Sequence, residues 1–511
     1  MAGIYSSTME EKLDQLKDLL HPSHDLSQAA ALLAWDQETY MPPGGAAARA
    51  EQLATLSRLS HELFTADEVG VLLDDLAPYE ADLDEGSDTA SLIRVTRREY
   101  QRARRVPAEL VAEIAHATSL AQQAWVKARQ ESDFPAFQPY LEKNVDLRVQ
   151  WASCFDVAPG GHSYDPLLDV YEPGMTTEQA QAVFQALRPA LVDLTAQIAD
   201  RQDAVDDSFL HLPYGETAQW DFSLEMARGL GYDFERGRQD KSAHPFTTSF
   251  SIDDVRITSR IDPEFPSSCW FATIHETGHA LYEQGIDKAL ARTPLASGSS
   301  MGVHESQSRL YENIVARGKP FWTFYYPQAQ DRFPSQLGNV PLDDFHKAIN
   351  KSQPSLIRVE ADEVTYGLHI ILRFELEQAM IDGAVRIADL PELWNTRMQG
   401  YLGLTPPDDA QGVLQDVHWS AALIGYFPTY LLGSVLAVQF YEQAQADLPS
   451  LDESFAQGDF GPLLEWLREH VHRHGCKFTL PELTDRICGG PLAIEPYVRY
   501  LRTKFGDIYG L

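Results

Sequence analysis

Residues 275–279 of this 511-residue chain read His275-Glu276-Thr277-Gly278-His279, and that spacing constrains the backbone. Two histidines four apart share a face on an α-helix, separated by about one turn. Both imidazoles can then grip one metal ion. The glutamate beside the first can point at a water on that ion. The flanking residues make this helix a packed one. Phe271, Ile274, Leu281 and Tyr282 supply an apolar component, and Ser267 and Ser268 are placed to cap its start.

Just upstream, residues 246–252 and 255–261 alternate at period two on either side of Asp253-Asp254, the pattern of a hairpin. A strand edge beside a metal helix is a natural bed for an extended peptide. Motif and context together are the H-E-x-x-H signature of zinc peptidases.

A catalytic zinc site needs a third protein ligand and one open position for water. The metzincin pattern, with a third histidine after a glycine, is absent: Tyr282 stands where the glycine would be and Gly285 where the histidine would be. Glu283 is one turn beyond His279, but one straight helix rarely supplies three ligands to a single ion. Residues 302–314 read as a second helix with Val303, Leu310 and Ile314 buried, reached through the loop 293–300. Glu305 lies 26 residues after His279, enough for a loop and a return alongside. Glu305 is preferred to Glu312 as the third ligand, and His304 stands as a further possibility.

Most of the remaining chain has helical periodicity, with runs near 8–21, 44–64, 107–131, 363–383, 427–447, 459–472 and 491–505. Thr176 and Gln179 form a capping box ahead of Val183, Phe184, Leu187, Leu191, Leu194 and Ile198. The expected architecture is mainly α with a small β-sheet beside the metal helix. No linker, low-complexity tract or repeat divides the chain, so residues 1–511 are expected to form one domain. Its N-terminal part, about 1–240, would wall a cleft, and about 241–511 would carry the chemistry.

A net charge of −34 argues against nucleic acid and anionic membranes as partners. No stretch is apolar enough to span a bilayer, and the first residues lack a signal-peptide pattern. Cys154, Cys269, Cys476 and Cys488 are scattered, with no C-x-x-C pair, and read as reduced thiols of a cytoplasmic protein.

Four further segments hold candidate substrate contacts. His244 precedes Pro245 where the hairpin opens, and can equally be an ordinary turn residue. Arg256, on the second strand, can hold substrate or pair with a nearby acid. Arg358, in Ile357-Arg358-Val359-Glu360-Ala361-Asp362, offers a fixed positive charge or a structural ion pair. His418, Tyr426 and Tyr430 lie among glycines and aromatics and can donate to a developing oxyanion, or form an aromatic core stripe.

Taken together, these segments resemble the carboxypeptidase Taq family of metallocarboxypeptidases. The resemblance runs almost the full length and includes Leu33-Ala34-Trp35-Asp36-Gln37-Glu38-Thr39-Tyr40-Met41-Pro42 and Tyr164-Asp165-Pro166-Leu167-Leu168-Asp169. It also includes His244-Pro245-Phe246, the 254–258 run, the metal helix, His304-Glu305-Ser306-Gln307, the 357–362 run and the 412–419 run. The resemblance implies a gluzincin-type site with His275, His279 and Glu305 as ligands, holding zinc or cobalt. It implies release of single residues from peptide C-termini with broad specificity. It further implies a neurolysin-like helical fold with a deep cleft, and a homodimer. Arg358 matches the position linked to the substrate's terminal carboxylate; His244, His418 and Tyr430 match positions around the substrate, with Tyr426 close to the last.

The expected chemistry is hydrolysis by a metal-activated water, with Glu276 as general base and then acid. A metallo-oligopeptidase cutting inside short peptides is the alternative use of the same site. A non-catalytic helical scaffold with a structural metal would need four protein ligands and no base, which the glutamate at 276 argues against.

Overall fold

The computed structural model describes residues 2–511, with side chains from residue 8 onward. Where apolar residues recur at three and four, helices form. The capping box of Thr176 and Gln179 starts the helix Thr177–Ala199, whose Phe184, Leu187, Leu191 and Ile198 are buried. The other expected runs correspond to Ala46–Phe64, Ala108–Glu131, Tyr366–Ile381, Pro428–Asp447, Gly461–His470 and Glu495–Tyr509. The run expected at 8–21 belongs to one long helix, Ala2–Thr39, which carries Pro22 inside it.

The only sheet among the described residues has three strands: β1 (Gln239–Lys241), β2 (Thr247–Ser251) and β3 (Asp254–Ser259). Their order is β1-β3-β2, with β1 parallel and β2 antiparallel to β3. The hairpin turns one residue earlier than expected, at Ile252-Asp253, because Ser251 pairs with Asp254 across a register irregularity. β3 ends at Ser259 rather than Ile261, and β1 was not expected at all.

The sheet packs on the metal helix, Pro266–Gly285. That helix buries Trp270, Phe271, Ile274 and Leu281, each side chain contributing roughly 1.5–3 kcal/mol by leaving water. Ser267 and Ser268 do not cap it. Pro266 takes the first helical position behind Phe265, which leaves both serines inside the first turn.

The second helix, Met301–Arg309, is capped by Ser300, whose hydroxyl accepts from Val303 N at 3.0 Å. It continues into a π-helix over Leu310–Ala316, a widened geometry often found at functional sites. Two glycines fix where this helix lies. A Cβ on Gly278 would come within 2.6 Å of Gln307 O, and one on Gly433 within 2.7 Å of Glu305 Cβ. The helix is therefore clamped between the metal helix and Pro428–Asp447 at backbone distance.

A smaller apolar cluster ties the N-terminal helices to this core. Leu16, Leu73, Leu76 and Ile93 pack with Ile252, Ile286, Leu290 and Leu295. The segment 33–42 docks on the sheet: the Arg256 guanidinium lies 4.5 Å over the Trp35 ring, and the Tyr40 hydroxyl donates to Asp240. No described helix is long and apolar enough to cross a membrane.

Candidate metal centre

His275 and His279, one turn apart on the metal helix, both turn Nε2 toward one oxygen of Glu305. The gaps to Glu305 Oε2 are 3.6 and 3.5 Å. Among the described residues, these three form the one group of three or more His, Cys, Asp or Glu side chains whose ligand atoms lie within 4.8 Å of one another. Two imidazoles and one carboxylate are a donor set for zinc or a related divalent ion.

The rest of the surroundings suits that ion. Glu305 is buried, yet Arg309 and the two imidazoles hold its carboxyl far below the ordinary range despite the cost of burial. Its other oxygen, Oε1, accepts from Arg309 Nε at 2.7 Å, so Oε2 is the oxygen presented to the histidines. Burial pulls His279 down to about 3, which keeps its imidazole neutral, the form a metal needs.

The residues weighed against Glu305 stand behind the histidines. Glu312, in the π turn, accepts from His275 Nδ1 at 2.9 Å. Burial opposes its charge, but His275 and Arg309 outweigh that and hold it down at about 2. His304 lies with Nδ1 2.6 Å from His279 Nδ1, and Glu283 backs His304 at 2.9 Å. Side chains so placed can orient metal-binding histidines; spacing had favoured Glu305 over Glu312, while residue type alone set neither Glu312 nor His304 apart from a ligand.

Glu276 is 6% exposed at the same end. Thr247, the first residue of β2, has its hydroxyl 2.7 Å from Glu276 Oε2 and 3.0 Å from the same residue's carbonyl oxygen. Burial raises the Glu276 pKa, partly offset by His275 and the Thr247 hydrogen bond. Thr247 is a contact the sequence reading missed; the only signal was a polar residue at the first position of a strand next to the metal helix.

A second cluster faces this one. Arg358 and Arg373 share Asp416: Arg358 Nε donates to Oδ1 at 2.9 Å and Arg373 Nε to Oδ2 at 2.7 Å. Arg373 is fully buried and spends its terminal nitrogens on His369 O and Gln415 Oε1. Arg358 gives Nη1 to the Tyr366 hydroxyl at 3.1 Å and retains N–H donors on its terminal nitrogens. His418 Nε2 lies 3.2 Å from the Tyr430 hydroxyl, and the Tyr426 and Tyr430 rings are 5.3 Å apart. Burial lowers His418 to about 4 and raises Tyr430 well above its ordinary value, so the imidazole is neutral and the phenol keeps its proton.

Tyr366 joins the two clusters. The Arg309 guanidinium lies 4.5 Å over its ring while its hydroxyl accepts from Arg358. The structure thus brings Arg358, His418, Tyr426 and Tyr430 into one connected group. His244 and Arg256 have no described contact with either cluster. His244 is exposed three residues before β2, and Arg256 is engaged by both oxygens of Asp254 at 2.8 and 2.9 Å.

Comparison with known proteins gives a consistent result. Residues 15–505 match the family model described as carboxypeptidase Taq (M32) metallopeptidase. A thermostable carboxypeptidase 1 of Thermus thermophilus is 42% identical over 98% of this chain and 100% of its own. Carboxypeptidase 1 of Bacillus subtilis is 40% identical over 98% of each. The crystal structure of an M32 carboxypeptidase from Deinococcus radiodurans superposes with a TM-score of 0.94 at 42% identity, covering 98% of this chain and 100% of that one.

Proposed function

The chain belongs to the carboxypeptidase Taq (M32) metallopeptidase family, and from that premise we propose how its residues divide the work of a metal-dependent carboxypeptidase. Its substrates are peptides, from whose C-termini it releases single residues with broad specificity.

His275, His279 and Glu305 hold the divalent metal, zinc or else cobalt. When bound, that ion supplies a lowered water pKa and polarisation of the scissile carbonyl. Glu276 takes the proton of the attacking water and passes it to the leaving amine. Its burial suits the role, because a raised carboxyl pKa makes a better base near neutrality. Thr247 fixes which way that carboxylate points.

Arg358 receives the substrate's terminal carboxylate on its free N–H donors, a charge-assisted contact. Tyr430, with Tyr426 beside it and neutral His418 behind it, offers a hydroxyl donor to the charge that develops on the carbonyl oxygen. His244 and Arg256 take outer substrate contacts along the hairpin. The N-terminal part, about 1–240, walls the cleft of a single domain spanning 1–511. The unpaired thiols support a cytoplasmic setting, the net charge of −34 supports the absence of nucleic acid and membrane partners, and the family resemblance supports a homodimer.

The observation that carries this reading is the second cluster. Two buried guanidiniums share one carboxylate, so an anion-sized deficit stands across Tyr366 from the metal ligands. Every free C-terminus presents a carboxylate one residue beyond the bond to be cut, whatever its side chains, and an internal cleavage site does not, which separates a carboxypeptidase from an oligopeptidase. A matched pair of peptides, one with a free C-terminus and one amidated, tests it. The free form should be cleaved at least about 10²-fold faster in kcat/KM, the scale of a lost buried charge contact. Equal rates would remove Arg358 from its role.

A further inference from the structure

His275 and His279 are backed differently. His275 Nδ1 meets a carboxylate directly, whereas His279 Nδ1 meets a second imidazole, His304, nitrogen to nitrogen at 2.6 Å. Between two ring nitrogens one must donate and the other accept. The other nitrogen of His304, Nε2, lies 2.9 Å from Glu283 Oε1. A carboxylate only accepts, so Nε2 of His304 carries a proton.

Two arrangements remain for the short contact. If His304 also donated from Nδ1, His279 would accept there and carry its own proton on Nε2, the nitrogen turned toward Glu305. A protonated Nε2 cannot ligate. If His304 presents a bare Nδ1, His279 bears its proton on Nδ1 and its Nε2 is a free lone pair. Only the second arrangement leaves the histidine competent.

We propose that Glu283 and His304 form a proton-placing relay that fixes the tautomer of His279, making both of them positioning residues for the metal. The proposal rests on His279 being a ligand, as read above. The relay is built to stay in place. Glu283 also accepts from Gly298 N at 3.2 Å, and the Tyr282 ring lies 5.1 Å from the His304 ring. A Cβ on Gly298 would come 2.5 Å from His304 Cδ2, so that position leaves the imidazole only the room it occupies.

A substitute at 304 keeps the function of the relay only if it can accept a hydrogen bond from His279 Nδ1. Glutamine at 304 can accept from His279 Nδ1–H through its amide oxygen. Phenylalanine fills similar space and accepts nothing.

Zinc affinity of the full-length apo protein, measured by competition with a chromophoric chelator, reads the difference without any turnover assay. His304→Phe should bind zinc about 10–100-fold more weakly than wild type, the usual cost of losing such a partner, and His304→Gln should stay within about 3-fold. Thermal midpoints of the apo proteins check that both fold. Wild-type affinity in the Phe chain, or equal losses in Phe and Gln, would overturn the relay and leave His304 a packing residue. A wild-type chain that binds no zinc would overturn the ligand set itself, and the relay with it. Should the Phe chain fail to fold, neutron diffraction from zinc-loaded wild-type crystals decides the matter. Deuterium on His304 Nε2 and His279 Nδ1 is expected, and deuterium on His304 Nδ1 would overturn the proposal.

Discussion

The two side-chain clusters of the site are charged in opposite senses. At the metal end Glu305 and Glu312 face Arg309 and Arg317, Glu283 backs His304, and buried Glu276 lies alongside. Acid exceeds base there, which suits a cation. At the other end Arg358 and Arg373 face Asp416 alone, which suits an anion. Tyr366 stands between, under Arg309 and against Arg358. The chain as a whole carries −34, yet it builds a buried positive point. In the proposed division of roles, recognition depends on local imbalance within a few ångströms, where burial strengthens each interaction, and net charge says little about it.

If the ends divide the work this way, damage at each should look different. Glu276→Gln should retain one metal per chain and lose up to about 10⁴-fold in kcat, the upper range for general acid–base catalysis. Metal analysis beside steady-state kinetics reads both quantities, and near-parent turnover would show that another group takes the proton. Arg358→Met should also keep its metal. Asp416 retains Arg373, so no acid is stranded by the change. The expected loss is about 10²-fold in kcat/KM on peptides with a free C-terminus and little on amidated ones. An equal loss on both would make Arg358 a structural residue.

The smallest effect concerns Glu172, a buried acid behind the metal end that accepts from Ser300 Oγ at 2.8 Å and from Gly302 N. Burial raises it from 4.5 to about 8, only partly offset by those two hydrogen bonds. A raised carboxyl favours the folded state below its unfolded pKa, and that advantage is lost as pH climbs through the folded value. The melting temperature of wild type should therefore fall between about pH 4.5 and 8 relative to Glu172→Gln, which has no such proton. Parallel curves across that range would mean the acid is ionised in the fold throughout.

The metal helix and its partner were legible because ligand spacing and apolar periodicity agree there. The N-terminal helices were harder to read. Pro22 interrupts the pattern inside Ala2–Thr39, and Pro78 and Pro139 do the same in Asp67–Ala81 and Phe134–Ala152. An interior proline reads as a helix boundary from sequence, and only tertiary packing overrides it. The helices Asp88–Arg105, Glu216–Gly229, Lys319–Arg332 and Leu390–Leu402 were not singled out either. In the site, Glu312 and His304 have the same chemistry as a ligand, and the π turn and the Gly278 approach decide which side of the imidazoles they reach. Arg256 was open to two readings, a substrate contact or a pair with a nearby acid, and the acid it meets is Asp254, two residues away on the same strand.

The most direct test of the whole account is anomalous diffraction at the zinc edge from crystals of the zinc-loaded protein. One strong peak per chain is expected, bounded by His275 Nε2, His279 Nε2 and Glu305 Oε2, with Glu312 and His304 outside coordination distance. A peak ligated by Glu312 or His304 in place of Glu305, or one lying away from the two histidines, would contradict it.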